Sequence, residues 1–91
     1  MGRSARLLLH YLPSTDSFQF GILVPKRFAK RAVCRNALKR IFREACREKA
    51  KSFPNGRILV RLTRPAPLVR PADKAIWWKE IRQLLNALSP D

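Results

Sequence analysis

Residues 35–44 combine closely spaced cations with apolar side chains in one run, Arg-Asn-Ala-Leu-Lys-Arg-Ile-Phe-Arg-Glu. At about 100° per residue, a helix over this run places four polar side chains within an arc of roughly 60°. They are Asn36, Arg40, Arg43 and Arg47, with Lys39 at one edge. Like charges one turn apart on a helix cost about 0.2–0.5 kcal/mol per pair. A face that keeps several of them predicts binding to an external polyanion, of which phosphate is the usual one.

The sequence offers little for catalysis by its own side chains. His10 is the single histidine, and no Ser or Thr has a partnered His and Asp. Glu44 and Glu48 lie one helical turn apart, but neighbouring Arg and Lys residues favour surface ion pairs over acid–base chemistry. Two Cys and one His are too few for a four-ligand zinc site. We therefore predict no catalytic residue, metal site or cofactor in the protein itself.

The net charge is +14, from 20 Lys and Arg against 6 Asp and Glu. Such a charge opposes compaction unless a partner neutralises it, which favours nucleic acid over an anionic membrane or an acidic protein. No stretch is apolar enough to span a bilayer, and the N-terminal Leu run is interrupted by His10, Pro13 and Asp16. We expect a cytosolic protein with no membrane partner. Cys34 and Cys46 lie about 18 Å apart on one helix, which predicts reduced thiols.

Hydrophobic periodicity predicts five elements in the order strand, strand, helix, strand, helix. The predicted strands cover residues 5–12, 18–24 and 57–63, and the predicted helices cover residues 32–51 and 74–88. The first two strands are predicted to form an antiparallel hairpin around a turn at residues 13–17. Asp73 is a plausible N-cap of the last helix. The simplest arrangement is an α+β fold in which two helices cover a sheet of three main strands, as one domain over residues 1–91.

The last helix carries two adjacent tryptophans, Trp77 and Trp78. They share a face with Ile81, Leu84, Leu85 and Leu88. That face is strongly amphipathic, while Lys79 and Arg82 stay on the polar side. Two uses of the tryptophans are open, a packing stripe or a platform for stacking bases. The helical spacing favours packing.

Two stretches, residues 21–27 and 31–47, resemble the protein subunit of bacterial ribonuclease P. In that family a strand ends in a Lys-Lys or Lys-Arg pair, followed by a short loop and a helix with the motif Arg-Asn-x-x-Lys-Arg-x-x-Arg-Glu. Every fixed position is matched, by Arg35, Asn36, Lys39, Arg40, Arg43 and Glu44. The similarity continues more weakly over roughly residues 5 to 88.

This resemblance implies a role in ribonuclease P, the endoribonuclease that removes the 5′ leader of precursor tRNA. The implied partners are the catalytic RNA of ribonuclease P and precursor tRNA. In the family the RNA performs the hydrolysis with bound metal ions, so Mg²⁺ is expected on the RNA and not on the protein. The resemblance also implies a left-handed βαβ crossover from residues 18–24 through the basic helix to residues 57–63, against the usual right-handed rule.

The charge pattern and the resemblance together predict ten RNA-binding residues. They are Lys26, Arg27, Lys30, Arg31, Arg35, Asn36, Lys39, Arg40, Arg43 and Arg47. The resemblance also places His10 or Tyr11 near the cleft in which the family binds the leader.

Two positions depart from the family pattern. Ala37 stands where the motif usually continues with Arg, so one phosphate contact is missing or is supplied by Arg40. The chain also starts almost at the first long strand, whereas the family begins with a helix that carries aromatic residues beside the cleft. If that helix is absent from the protein, the sheet face near Leu8, His10 and Leu23 lacks its usual cover. We then expect either self-association through this face or weaker discrimination for precursor tRNA.

Two other functions compete with this interpretation. A ribosomal or RNA-chaperone-like protein without a ribozyme partner has a similar composition, and the motif at residues 35–44 counts against it. A DNA-binding helix module usually has a short helix and turn before its recognition helix. Here a strand precedes the basic helix, which counts against that module.

Overall fold

One sheet organises the computed structural model, which describes residues 2–4, 6–52, 55–66 and 70–87. Its strands are β1 (Gly2–Arg3), β2 (Leu7–Ser17), β3 (Gln19–Leu23) and β4 (Asn55–Leu62). The helices are α1 (Ala32–Ala50) and α2 (Lys74–Asn86), and a short 3₁₀ turn, Pro71–Asp73, leads into α2. The α+β fold with three main strands and two helices is confirmed. The predicted ends at Ala5 and Leu88 lie outside the described residues.

The strand order is β1-β2-β4-β3. β2 runs antiparallel to β4 and β3 runs parallel to it, so that Leu9 and Ile22 both pair with Val60 from opposite sides. The predicted hairpin of the first two strands is therefore wrong, because β4 lies between them. Alternating apolar residues specify which face of a strand is buried, but they do not specify its neighbour. The parallel crossover from β3 through α1 to β4 that the resemblance implies is present.

The predicted turn at residues 13–17 is also wrong in part, because β2 continues through it to Ser17. The register with β4 shifts between Leu12 and Ser17, and Ser17 pairs with Asn55. Gln19 then pairs with Arg57 on the other side of β4. This segment carries the chain across the start of β4 from one side to the other. Its polar, turn-forming composition suits an irregular crossing as well as a tight turn.

The core lies between one face of the sheet and both helices. Ile58, Val60 and Leu62 face it from β4, as the alternation of apolar residues along this strand predicts, and Leu7 and Leu9 face it from β2. The apolar side of α1 is buried as its spacing predicts. Its buried residues are Cys34, Leu38, Ile41, Phe42, Ala45 and Cys46. Both cysteines are buried on this side of the helix, and their being reduced thiols stays a prediction.

Trp77 joins the two helices and the N-terminal segment. Its ring meets Phe42 of α1 edge-on, with centroids 6.0 Å apart, and the guanidinium of Arg6 lies 3.6 Å from the Trp77 ring centroid. Glu80 accepts hydrogen bonds from the Arg6 side chain at 2.9 and 2.7 Å, from the Arg6 backbone N–H at 3.1 Å and from Ser4 Oγ at 2.6 Å. These contacts fasten the segment before β2 to α2.

Local backbone chemistry sets two further positions. Gly56 has φ of +119°, and a Cβ built there lies 2.8 Å from the Tyr11 ring, so glycine is required on both counts. Asp73 precedes α2 as predicted, but its carboxylate accepts a hydrogen bond from the Arg70 backbone N–H at 2.9 Å instead of capping the helix. In the described part of the chain, no helix is long and apolar enough to cross a membrane.

Candidate nucleic-acid interface

The side of α1 that faces away from the sheet carries the polar residues of the sequence motif. Asn36, Arg40, Arg43 and Arg47 are exposed, and Lys39 is half-buried at the edge. Together with Glu44 these five side chains border a surface concavity of about 530 Å³. The concavity lies between side chains of a single helix, so it is a contoured surface that suits an extended ligand. We call the five residues Asn36, Lys39, Arg40, Arg43 and Arg47 the α1 stripe.

The cations of the α1 stripe are not neutralised by carboxylates of the part of the chain that the structure describes. No salt bridge between described residues reaches Arg40, Arg43 or Arg47. Glu48 forms its ion pair with Arg82 of α2, at 3.4 Å, and not with a neighbour on α1 as its spacing suggested. Glu44 is the single carboxylate bordering the concavity. An exposed row of cations with one flanking carboxylate attracts a polyanion.

The loop before α1 extends this positive surface. Lys26, Arg27, Lys30 and Arg31 are all exposed. The loop is shaped by a turn in which the N–H groups of Phe28 and Ala29 donate to the Pro25 carbonyl, at 3.0 and 3.1 Å. The N–H of Ala66 holds it from outside by donating to the Phe28 carbonyl at 2.7 Å. Eight of the ten predicted residues are therefore exposed, on one helix face and the loop leading to it.

Arg35 differs from the other predicted cations because its side chain is already used inside the protein. Its Nη1 donates to the carbonyls of Ala29 and Lys30, at 2.9 and 2.8 Å, and the residue is half-buried. These bonds tie the first turn of α1 to the basic loop. The structure thus gives Arg35 a positioning role, and its contact with RNA stays a prediction.

The two residues predicted near a leader cleft lie on opposite faces of β2. Tyr11 packs against the core cluster and sits beside Gly56. His10 pairs with Leu59 on the face that the helices do not cover. Exposed Leu12, Leu23 and Leu59 lie on that open face as well. Of the two, His10 lies on the open face, and a contact of either residue with the leader stays a prediction.

Sequence reasoning missed the half-buried contact of Arg6 with Trp77 and Glu80 and the pairing of Arg82 with Glu48. Both arginines lie over a tryptophan ring. The signal in the sequence is weak, because Arg6 and Glu80 are separated by most of the chain. Helical spacing does place Trp78 and Arg82 one turn apart on α2, so that contact was predictable.

Cys46 lies behind the α1 stripe, on the buried side of the helix. Burial away from water raises the pKa of its thiol from 9.0 to about 12, because the thiolate is the form that burial disfavours. A thiol with so high a pKa is almost entirely protonated at neutral pH, which makes it a poor nucleophile. Among the described residues, no group of three His, Cys, Asp or Glu side chains comes close enough together to hold a metal ion.

Comparison with known proteins agrees with this combination of a small α+β fold and an exposed basic helix. The family model of ribonuclease P matches residues 2–89. The ribonuclease P protein component of an Azoarcus species is 36% identical over 87 residues, which are 94% of this chain and 70% of the relative. The component of Burkholderia mallei is 34% identical over 90 residues, 92% of this chain and 66% of the relative.

A shorter match, to the component of Bordetella parapertussis, is 48% identical over 44 residues, 48% of this chain. No solved structure matches the chain significantly. The chain spans about two thirds of the length of the first two relatives. Because the family model covers nearly all of it, the chain belongs to the ribonuclease P protein family.

Proposed function

We propose that this chain is the protein subunit of a ribonuclease P and binds the catalytic RNA through the α1 stripe and the basic loop at residues 26–31. The observation that carries the proposal is the set of exposed cations on α1, which have no ion-pair partner among the described residues. Phosphate groups of a folded RNA supply the missing negative charge. Counterions released from the RNA then contribute to the binding free energy.

In this proposal the protein assists 5′ maturation of precursor tRNA and the RNA partner carries out the hydrolysis with its own Mg²⁺. The carboxylates of this chain support that division, because three of them are committed elsewhere. Glu80 accepts bonds from Arg6 and Ser4, Glu48 pairs with Arg82, and Asp73 accepts the Arg70 N–H. The protein then contributes charge and shape to the assembly.

The open face of the sheet is the proposed contact for the 5′ leader. It combines His10 and exposed Leu59 with the alternate residues of β4, Arg57 and Arg61. Unpaired nucleotides bind to surfaces that offer both an apolar platform and cations. The prediction of weaker discrimination for precursor over mature tRNA, or of self-association through this face, is tested with the same assembly.

The test is reconstitution with a ribonuclease P RNA and precursor tRNA at low Mg²⁺. We expect the protein to raise cleavage, and the double variant Arg40→Gln/Arg43→Gln to lose most of that stimulation. Arg64→Gln removes an exposed cation from the loop after β4 and serves as the matched control. Cleavage by the RNA-free protein, after nuclease controls, would contradict the division of labour. Equal binding to unrelated structured RNA would favour an RNA-chaperone-like protein.

A further inference from the structure

The outer face of α2 has a second concavity, of about 470 Å³, that the proposed function does not use. It is lined by Ala75, Trp78, Lys79, Arg82, Gln83 and Asn86. Trp78 is half-buried there, whereas its neighbour Trp77 is buried in the core. No carboxylate is among the six lining residues, and two of them are cations. The surface therefore combines an accessible aromatic ring with positive charge.

Arg82 is held loosely over this ring. Its guanidinium carbon lies 4.6 Å from the Trp78 ring centroid, and its Nη2 lies 3.4 Å from Glu48 Oε1. The Arg82 and Glu48 side chains are 54% and 56% exposed, so water screens their ion pair strongly. The guanidinium can thus turn toward a phosphate, or keep its stacked position and offer its outer plane to a base.

Two glutamates separate this surface from the α1 stripe. Glu44 borders the concavity of the stripe, and Glu48, one helical turn later, reaches Arg82. A phosphate chain that follows the stripe around α1 would meet these carboxylates before it reached α2. The α2 surface is therefore a separate site and not the margin of the first one.

We propose that the outer face of α2 binds an unpaired nucleobase of RNA, which stacks on the Trp78–Arg82 pair while Lys79 contacts a neighbouring phosphate. Every base offers a flat face to an aromatic ring, so stacking of this kind tolerates many sequences. A base inside a duplex already has both faces covered, so the ligand is single-stranded. The proposal rests on the proposed function only in taking RNA as the natural ligand.

The first measurement is tryptophan fluorescence of the full chain titrated with short single-stranded oligoadenylate RNA at low salt. Because Trp77 is buried, we expect quenching that comes from Trp78. Trp78→Leu should weaken binding by about 5- to 150-fold, the range for loss of one stacked base. Ile76→Ala removes an exposed apolar side chain from the same helix outside the concavity and should leave affinity unchanged. A duplex of the same length should not quench.

The second measurement separates stacking from charge. Trp78→Phe should keep most of the affinity. Lys79→Gln should lower the slope of log affinity against log salt by about one, because one phosphate contact is lost. The wild-type quenching and the Lys79 variant remain informative if Trp78→Leu does not fold. Unchanged fluorescence at saturation, or equal affinity of a folded Trp78→Leu, would overturn the proposal. The proposal would also be overturned, in favour of a protein interface, by three results together: a wild-type chain that sediments as a dimer, a Trp78→Leu variant that sediments as a monomer, and no change in RNA affinity.

The outcome is independent of the proposed function. Arg43→Gln should weaken binding to ribonuclease P RNA and leave oligoadenylate quenching of Trp78 intact. If the wild-type chain did not bind ribonuclease P RNA but still showed Trp78-dependent quenching, the function would fail and the α2 site would stand. If it stimulated cleavage but showed no quenching, the α2 site alone would fail.

Discussion

Trp77 and Trp78 are neighbours in the chain, and each lies beneath an arginine that pairs with a glutamate. We call Arg6, Trp77 and Glu80 the inner trio: Arg6 lies 3.6 Å from the Trp77 ring centroid and 2.7 Å from Glu80, and the Arg6 and Glu80 side chains are 31% and 14% exposed. We call Arg82, Trp78 and Glu48 the outer trio: Arg82 lies 4.6 Å from the Trp78 ring centroid and 3.4 Å from Glu48, which is more exposed than Glu80. The same three residue types thus form a tight structural contact in one place and a loose surface contact in the other.

The difference comes from burial and from the number of bonds. Glu80 also accepts bonds from Ser4 and from the Arg6 backbone, so its charge is compensated where water is largely excluded. Glu48 keeps much of its hydration and gains little from one long contact. An arginine is available to a ligand only in the second situation. The count of 20 basic residues therefore overstates the cations that can bind RNA.

The largest effect is expected at Phe42, which packs against the other side of the inner trio. Phe42→Ala should lower the free energy of unfolding by about 3–5 kcal/mol, because it opens a cavity beneath Trp77. Urea denaturation monitored by circular dichroism measures it. RNA affinity of the folded fraction should not change. A stable Phe42→Ala protein would mean that the inner trio is not a packing centre.

A direct comparison of the two trios comes from Arg6→Ala and Arg82→Ala. Arg6→Ala leaves a mostly buried carboxylate without its main partner and should cost about 2 kcal/mol of stability. Arg82→Ala should cost less than about 1 kcal/mol, since its pair is exposed. Both variants lose one positive charge, so each controls for the other in denaturation experiments. Equal losses would remove the distinction between the trios.

Arg43 tests a cation that has no glutamate partner among the described residues. Arg43→Ala should change stability by less than about 0.5 kcal/mol, as an exposed substitution does. It should lower the slope of log affinity for ribonuclease P RNA against log salt by about one. Lys39→Ala should behave in the same way. A full salt slope together with lost stability would show that the two sides of α1 are assigned the wrong way round.

An effect that is absent at neutral pH concerns the pH dependence of stability contributed by Cys46. Its folded pKa is about 12 and its ordinary value 9.0, so unfolded chains release this proton first as pH rises. The contribution to stability is complete below pH 9.0 and is lost as pH rises toward 12. Between pH 9 and about pH 10 the loss is about 1 kcal/mol. Cys46→Ala should show a correspondingly shallower decline; identical profiles would mean that the thiol is hydrated.

The elements that sequence predicted correctly are those whose signal is local. The helical spacing of Leu38, Ile41 and Phe42 fixed the buried side of α1, and the alternation of Ile58, Val60 and Leu62 fixed that of β4. The exposed residues of the α1 stripe follow from the same spacing. Each prediction uses side chains within a few residues of one another, where the backbone geometry alone relates them.

Two of the features that sequence did not predict depend on distant contacts, and a third depends on the path of a loop. β2 pairs with β4 and not with β3, and because each of these strands has a suitable apolar face, the sequence pattern does not select between the two partners. The inner trio joins Arg6 to Glu80 across most of the chain. Arg35 looked like its basic neighbours until the position of the Ala29 and Lys30 carbonyls was known. In the first two cases the missing information was the tertiary arrangement, and for Arg35 it was the path of the loop five and six residues before it.

The central place of β4 has a consequence for the order in which the protein can fold during synthesis. β2 and β3 both hydrogen-bond to β4. More than thirty residues separate the end of β3 from the start of β4 in the chain. A nascent chain that ends before Asn55 has the basic helix but lacks the strand that joins β2 and β3 into one sheet. Assembly of the sheet must wait for long-range closure, which slows folding. Until β4 emerges, the apolar side of α1 has no sheet to cover it and its cations are already available to RNA.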